Sequence, residues 1–298
     1  MNGLLPTVLE PVLVSSGLFD FSDYGELLVL VGNTLAAGFA LGLLGGLIGI
    51  FVVTRDMAFA VHGISELSFA GAAAALLIGT SVITGSIAGS LVAALVFGLM
   101  GTRARERNSV VAVLMPFGLG LGILFLALYQ GRSANKFGLL IGQIVSVDGP
   151  ELGWLILVSA VAIFGLIAIW RPLSFATADE EVARAKGVPT GVLSVIFMII
   201  LGMATAVSVQ IVGALLVLAL LVTPAAAALR LTSSPILAPA LSVIFAVVSV
   251  LGGILLALGG NLPVSPYVTT ISFLIYLICR IIAISRKRHQ AALARTAE

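Results

Sequence analysis

Two ionisable side chains stand one helical turn apart inside a long apolar stretch. The stretch is Met57–Gly79 and the residues are His62 and Glu66. Residues four apart share a helix face, so imidazole and carboxylate can approach one point. At about 1.5 Å per residue, Glu66 lies roughly 13 Å into the stretch, near the middle of a bilayer. A carboxylate there costs at least ~2.5 kcal/mol and is retained mainly where it faces a bundle interior or a pathway. Glu66 is the only acidic residue deep in a hydrophobic segment, and the other histidine, His289, sits in the polar C-terminal tail. Imidazole with carboxylate suits zinc, manganese or iron(II), and a site that must release its ion would use few protein ligands plus water. Two other chemistries fit the same spacing: a hydrogen bond within the pair or to a neighbouring helix, and a proton relay with Glu66 as the titrating group.

The chain that must position this pair has 298 residues, of which 60% are hydrophobic and 9% charged. Its mean hydropathy is +1.22. A soluble domain carries about 25% charged residues, so this composition predicts an all-α, polytopic membrane protein. With Cys279 alone, no intrachain disulfide is possible. The N-terminus lacks the basic and apolar regions of a signal peptide. Apolar runs predict about nine spans, eight to ten in all. They are roughly Leu27–Val53, Met57–Gly79, Ser81–Met100, Ser109–Tyr129, Gly153–Trp170, two within Gly191–Leu229 with a break near Ser208–Gln210, Ile236–Leu258 and Val268–Ile284. In the first, Gly38, Gly42, Gly45, Gly46 and Gly49 would let neighbouring helices approach closely. The connection 130–151 is too broken to span. Residues 1–26 form an extracytoplasmic N-terminal segment, 27–284 the transmembrane domain, and 285–298 a basic cytoplasmic tail.

Lys and Arg set the orientation. With the C-terminus in the cytoplasm, all of the 15 basic residues except Arg132 and Lys136 fall inside, and Asp148 and Glu151 offset those two. The acidic N-terminal segment, with Glu10, Asp20, Asp23 and Glu26, then falls outside. The expected location is the cell (plasma or inner) membrane, multi-pass.

Residues 171–190 are the longest charged stretch between spans. After Asp179, a good N-cap, come helix formers that Gly187 and Pro189 stop. It reads either as a solvated connection or as a docking helix for a soluble partner. Nothing matches G-x-x-x-x-G-K-[ST], so the chain is not expected to bind ATP through such a loop, and no catalytic residue or nucleic-acid partner is expected. Energy would come from a separate subunit or an ion gradient.

Several runs resemble, in order, the permease subunits of ABC importers for zinc, manganese and iron. VHGISELSFAG (61–71) is similar to that family's G-D-x-x-S-H-x-x-x-P-G, and GLLIGQIVS (138–146) to its Y-L-F-G-x-I-x-x-V-S. ADEEVARAKG (178–187) resembles its cytoplasmic F-D-x-x-x-A-x-x-x-G. The run 210–227, with Gly213, Thr223 and Pro224, resembles V-G-x-L-L-x-x-A-L-L-x-x-P-A-A-x-A, and Asn261-Leu-Pro263 its N-x-P-x-G ending. The resemblance covers roughly 30–284. His62 stands where the family has Asp and Glu66 where it has His, so acid and imidazole are exchanged along one face, and Ala70 replaces the family's Pro. The resemblance implies a homodimeric permease whose His62 and Glu66 meet a transported zinc, manganese or iron ion, with no cofactor bound permanently. It also implies a partner ATPase docked on Asp179, Ala183 and Gly187, and an extracytoplasmic metal-binding protein. Uptake of a metal chelate or other organic cargo by the same machinery, and an ion-coupled carrier using Glu66, are the alternatives.

Overall fold

A computed structural model describes residues 25, 28, 30–99, 104–131, 147, 149–214, 217–259 and 263–296, the side chains of 104–107, 287 and 289–296 excepted. Among the described residues ten helices run in order: α1 Gly32–Thr54, α2 Ala58–Ile78, α3 Val82–Leu99, α4 Ala104–Leu128, α5 Gly149–Ala178, α6 Glu180–Ala185, α7 Thr190–Val212, α8 Val217–Leu231, α9 Leu237–Leu258 and α10 Val264–Thr296. Eight of them contain segments long and apolar enough to cross a membrane. The ninth expected span, α8, has 15 residues. At about 1.5 Å per residue it reaches roughly 22 Å, short of a hydrocarbon core of about 30 Å.

Three boundaries differ from those expected. The break expected at Ser208–Gln210 falls instead at Gly213, because Ser208 Oγ donates to the Ala204 carbonyl (2.7 Å) and stays inside the helix. Gly213 takes φ +85, which favours glycine. Gly213, which is not helical, and Ala214, in a 3-10 turn, are buried, and Ser265 Oγ donates to the Val212 carbonyl at 2.6 Å. Irregular backbone at membrane depth is tolerated when protein covers it in this way. Second, α5 runs on through Arg171 and Pro172 to Ala178. Third, α10 continues as a helix into the basic tail. The N-terminal segment except Gly25, the 138–146 run, Asp148 and Asn261 lie outside the described residues.

α1 runs through the middle of the bundle, against α5, α7, α8 and α9. Its glycines divide the work. Gly38, Gly42 and Gly46 face α9, where a Cβ on Gly46 would stand 2.5 Å from Val243 Cα. Gly45 and Gly49 face Leu221 of α8. Backbones this close leave no room for a side chain, so the seam depends on dispersion between bare helix surfaces. α2 lies in a second group with α3, α4 and α7. Gly71 of α2 meets Gly85 and Gly89 of α3 backbone to backbone. Ser68 and Ser86 share a hydrogen bond of 2.8 Å across that crossing, with Ser86 also 3.5 Å from the Ala206 carbonyl of α7. α4 and α5 turn large apolar side chains outward, such as Val113 and Phe164. That is the expected pattern for helices that meet lipid.

Candidate functional site

α2 forms because its apolar residues and alanines are good helix formers, and Gly79 ends it in the left-handed region at φ +80. Its N-terminal half is fixed at Gly63. A Cβ there would come 2.7 Å from Val111 of α4 and 3.0 Å from Phe97 of α3. That close seating sets the register of the next turn, which carries Glu66. The carboxyl group is 2% exposed and its Oε1 stands 3.8 Å from His62 Nε2. At that distance the two groups are not hydrogen-bonded. Glu66 Oε2 is buried without a hydrogen-bond partner. The His62 side chain is 28% exposed, so one end of the pair reaches the surface of this protomer while the other is sealed. Ser65 Oγ is turned back onto the His62 carbonyl, 2.8 Å away, and takes no part.

The structure therefore brings His62 and Glu66 together as the spacing predicts. A buried acceptor left without a donor is uncommon, since each such group forfeits a hydrogen bond it had in water. Carboxylate oxygen and imidazole nitrogen are both ligand atoms for divalent transition metals. Among the described residues no group of three or more His, Cys, Asp and Glu converges. The pair could thus offer a divalent ion two protein donors at this point.

The other three residues singled out in the sequence lie together on and around α6. Asp179 is its N-cap, with Oδ1 accepting the Val182 N–H at 2.9 Å. Gly187 closes it at φ +84. A Cβ on Gly187 would find nothing within 4 Å, so conformation, not space, calls for glycine. Ala183 corrects an expectation. Its small side chain is fully buried within this chain's own core and presses α6 onto the bundle. It does not lie open for a partner to approach. The outward face of α6 is Glu181, Val182 and Ala185, with Glu180 and Arg184 joined by an exposed ion pair of 2.8 Å.

Sequence reasoning passed over Arg55. Its Nη1 donates to Thr177 Oγ1 at 3.2 Å, a contact between residues 122 apart in the chain. Its guanidinium also lies 5.9 Å from the centre of the Phe197 ring. The available signal was a lone basic residue followed by Asp in the short turn before α2, and nothing local distinguishes that from a solvated loop.

Comparison with known proteins agrees with this fold. The family model described as the ABC 3 transport family matches residues 28–283. The chain is 29% identical to the manganese transport system membrane protein MntC of Halalkalibacterium halodurans, over 74% of this chain and 76% of that one. It is 23% identical to the high-affinity zinc uptake system membrane protein ZnuB of Haemophilus influenzae, over 82% and 94% of the two chains. Among solved structures, PsaBC from Streptococcus pneumoniae in complex with Fab superposes with a TM-score of 0.77 at 23% identity, covering 87% of this chain and 95% of that one. The last likeness is one of fold.

Proposed function

The chain belongs to the ABC 3 transport family, and from that premise we propose that it is the permease subunit of an ATP-driven importer of divalent transition-metal ions: manganese, zinc or iron(II). The observation that carries the reading is the sealed Glu66 carboxylate, with one oxygen unpartnered, beside His62. Relatives named for manganese and for zinc transport support the cargo class. Glu66 supplies the anionic oxygen that offsets the ion's lost hydration, and His62 supplies a neutral nitrogen. A cation beside Glu66 would also favour its charged form against desolvation. The exchange of acid and imidazole along α2 keeps both ligand types on one face.

The ATP-driven step belongs to a separate subunit, and α6 is the element we assign to it. Its capped ends make it a rigid handle, and its exposed face offers Val182 between charged neighbours. Two donors per protomer argue for a homodimer in which two His62–Glu66 pairs flank one path. An extracytoplasmic binding protein would deliver the ion. The Lys and Arg distribution supports a multi-pass protein of the cell membrane with its N-terminus outside and its C-terminus in the cytoplasm.

Reconstitution tests this directly. Proteoliposomes holding this chain with its partner ATPase should accumulate manganese or zinc only when ATP is present, and uptake should survive collapse of ion gradients. Uptake that needs a proton gradient and ignores ATP would instead identify a carrier that uses Glu66 as its titrating group.

A further inference from the structure

α6 and the His62–Glu66 pair lie on separate helices, α6 and α2. One cluster joins them. Arg55 ends α1 and stands three residues before α2 begins. Thr177, which receives its Nη1 at 3.2 Å, is in the last turn of α5, two residues before the N-cap of α6. The Thr177 hydroxyl is itself fixed, donating to the Leu173 carbonyl at 2.7 Å. Phe51 of α1 packs edge-on against Trp170 of α5 (4.8 Å between centroids) and against Phe197 of α7 (5.9 Å). The same Phe197 ring lies beneath the Arg55 guanidinium. One side chain thus bonds to the end of α5, stacks on α7 and terminates α1.

The turn that follows is tight. Asp56 takes φ +51, a left-handed conformation that non-glycine residues seldom adopt. Met57 N–H bonds back to the Val52 carbonyl at 2.8 Å, and the Met57 side chain is buried. No slack separates Arg55 from the first turn of α2. A guanidinium suits this junction because its planar fork directs a hydrogen bond while its face stacks on an aromatic ring, and its charge is permanent.

We propose that Arg55 is a positioning residue that couples α6 to α2: displacement of α6 by the partner ATPase passes through Thr177 and Arg55 into α2 and re-sites the His62–Glu66 pair. The inference rests on the reading of α6 as the ATPase contact. Packed elements with two arrangements carry such coupling, and mutations along them change it without touching either site.

The experiment compares ATP hydrolysed with manganese or zinc carried, in proteoliposomes of the whole complex. Arg55→Gln should leave hydrolysis within about twofold of wild type while uptake falls roughly tenfold, near the upper end of what coupling mutations produce. Thr177→Val should shift the ratio the same way by a smaller factor, Thr177→Ser should restore it, and Arg55→Gln/Thr177→Val should be no worse than Arg55→Gln alone. A parallel fall of hydrolysis and uptake, an unchanged ratio, or additive effects would overturn the proposal. If Arg55→Gln does not assemble, Thr177→Val carries the same test. If the wild-type complex hydrolyses ATP but moves neither ion, the cargo reading has failed. The coupling is then read from an environment-sensitive fluorophore at Ile78→Cys, the exposed outer end of α2, in a Cys279→Ser background. An ATP-dependent signal abolished by Arg55→Gln supports the coupling. A signal that persists in Arg55→Gln, or none in its absence, overturns it.

Discussion

α6 and α2 treat their polar groups differently. In α6, Asp179 caps the first turn, Glu180 pairs with Arg184, Arg184 Nε also reaches Thr190 Oγ1 at 3.4 Å, and the N–H groups of Lys186, Gly187 and Val188 all find carbonyls. Six residues of helix are too few to be stable alone, so these caps and the buried Ala183 are what hold it. In α2 the hydroxyls of Ser65 and Ser68 are satisfied, while the one costly group, Glu66, keeps an oxygen without a donor. A short helix held by caps at both ends behaves as a solid part. A long helix with an open acceptor near its centre suits the ligand role proposed for Glu66.

Removing the open acceptor's charge should have the largest effect. Glu66→Gln keeps size and most hydrogen bonding, so under the proposed function metal uptake is abolished, as it is for His62→Ala, with membrane level and dimer assembly unchanged. A radiotracer uptake assay beside size-exclusion chromatography checks this. Near-normal uptake by Glu66→Gln would make the pair a packing feature and erase the contrast with α6.

Next in size is an attack on the seating of α2. A side chain at Gly71 would run into the backbone of Gly85 in α3. Overpacking typically costs about 1–3 kcal/mol, and more when backbone must move. Gly71→Val should therefore lower the thermal midpoint of the detergent-solubilised protein by several degrees and reduce its yield. A midpoint equal to wild type would mean the α2–α3 crossing is looser than the glycine contact implies.

Smaller effects are expected at α6. Asp179→Ala removes the N-cap, worth about 1 kcal/mol. Gly187→Ala forces a Cβ into φ +84 and costs on the order of 1 kcal/mol. Each should fray α6, seen as faster amide exchange at 180–187, and lower uptake several-fold while leaving α2 protected. Smallest is Glu180→Gln, which breaks an exposed ion pair worth ~0.3–0.5 kcal/mol and should leave uptake unchanged. If Glu180→Gln matches Asp179→Ala in effect, α6 contributes charge to a partner more than rigidity.

The features legible in the sequence were the local ones. The α1 glycines, the Asp179 cap, the Gly187 stop and the one-turn spacing of His62 and Glu66 each depend on residues within a few positions. The errors have a common source. α5 passes Arg171 and Pro172 because the helix can carry on past one missing N–H at the cost of a single bond. The α7 break moved to Gly213 because burial by other helices, not local polarity, decides where irregular backbone is allowed. Ala183 turned inward because α5 and α7 both pack on α6. Arg55 was invisible because its partners lie far along the chain, and a charge pattern holds no information about them.

The length of α5 has a consequence for where a soluble protein could reach this molecule. Thirty residues of helix rise about 45 Å, against a hydrocarbon core of about 30 Å and a whole bilayer of about 40–45 Å. Counted from Trp170, the last apolar ring before Arg171, the two turns that remain add roughly 12 Å of height. That is enough to carry Thr177 and the start of α6 through the layer of lipid headgroups. With Trp170 at the edge of the hydrocarbon core, the helix would act as a pedestal and lift α6 out of the zone where lipid competes for its exposed face.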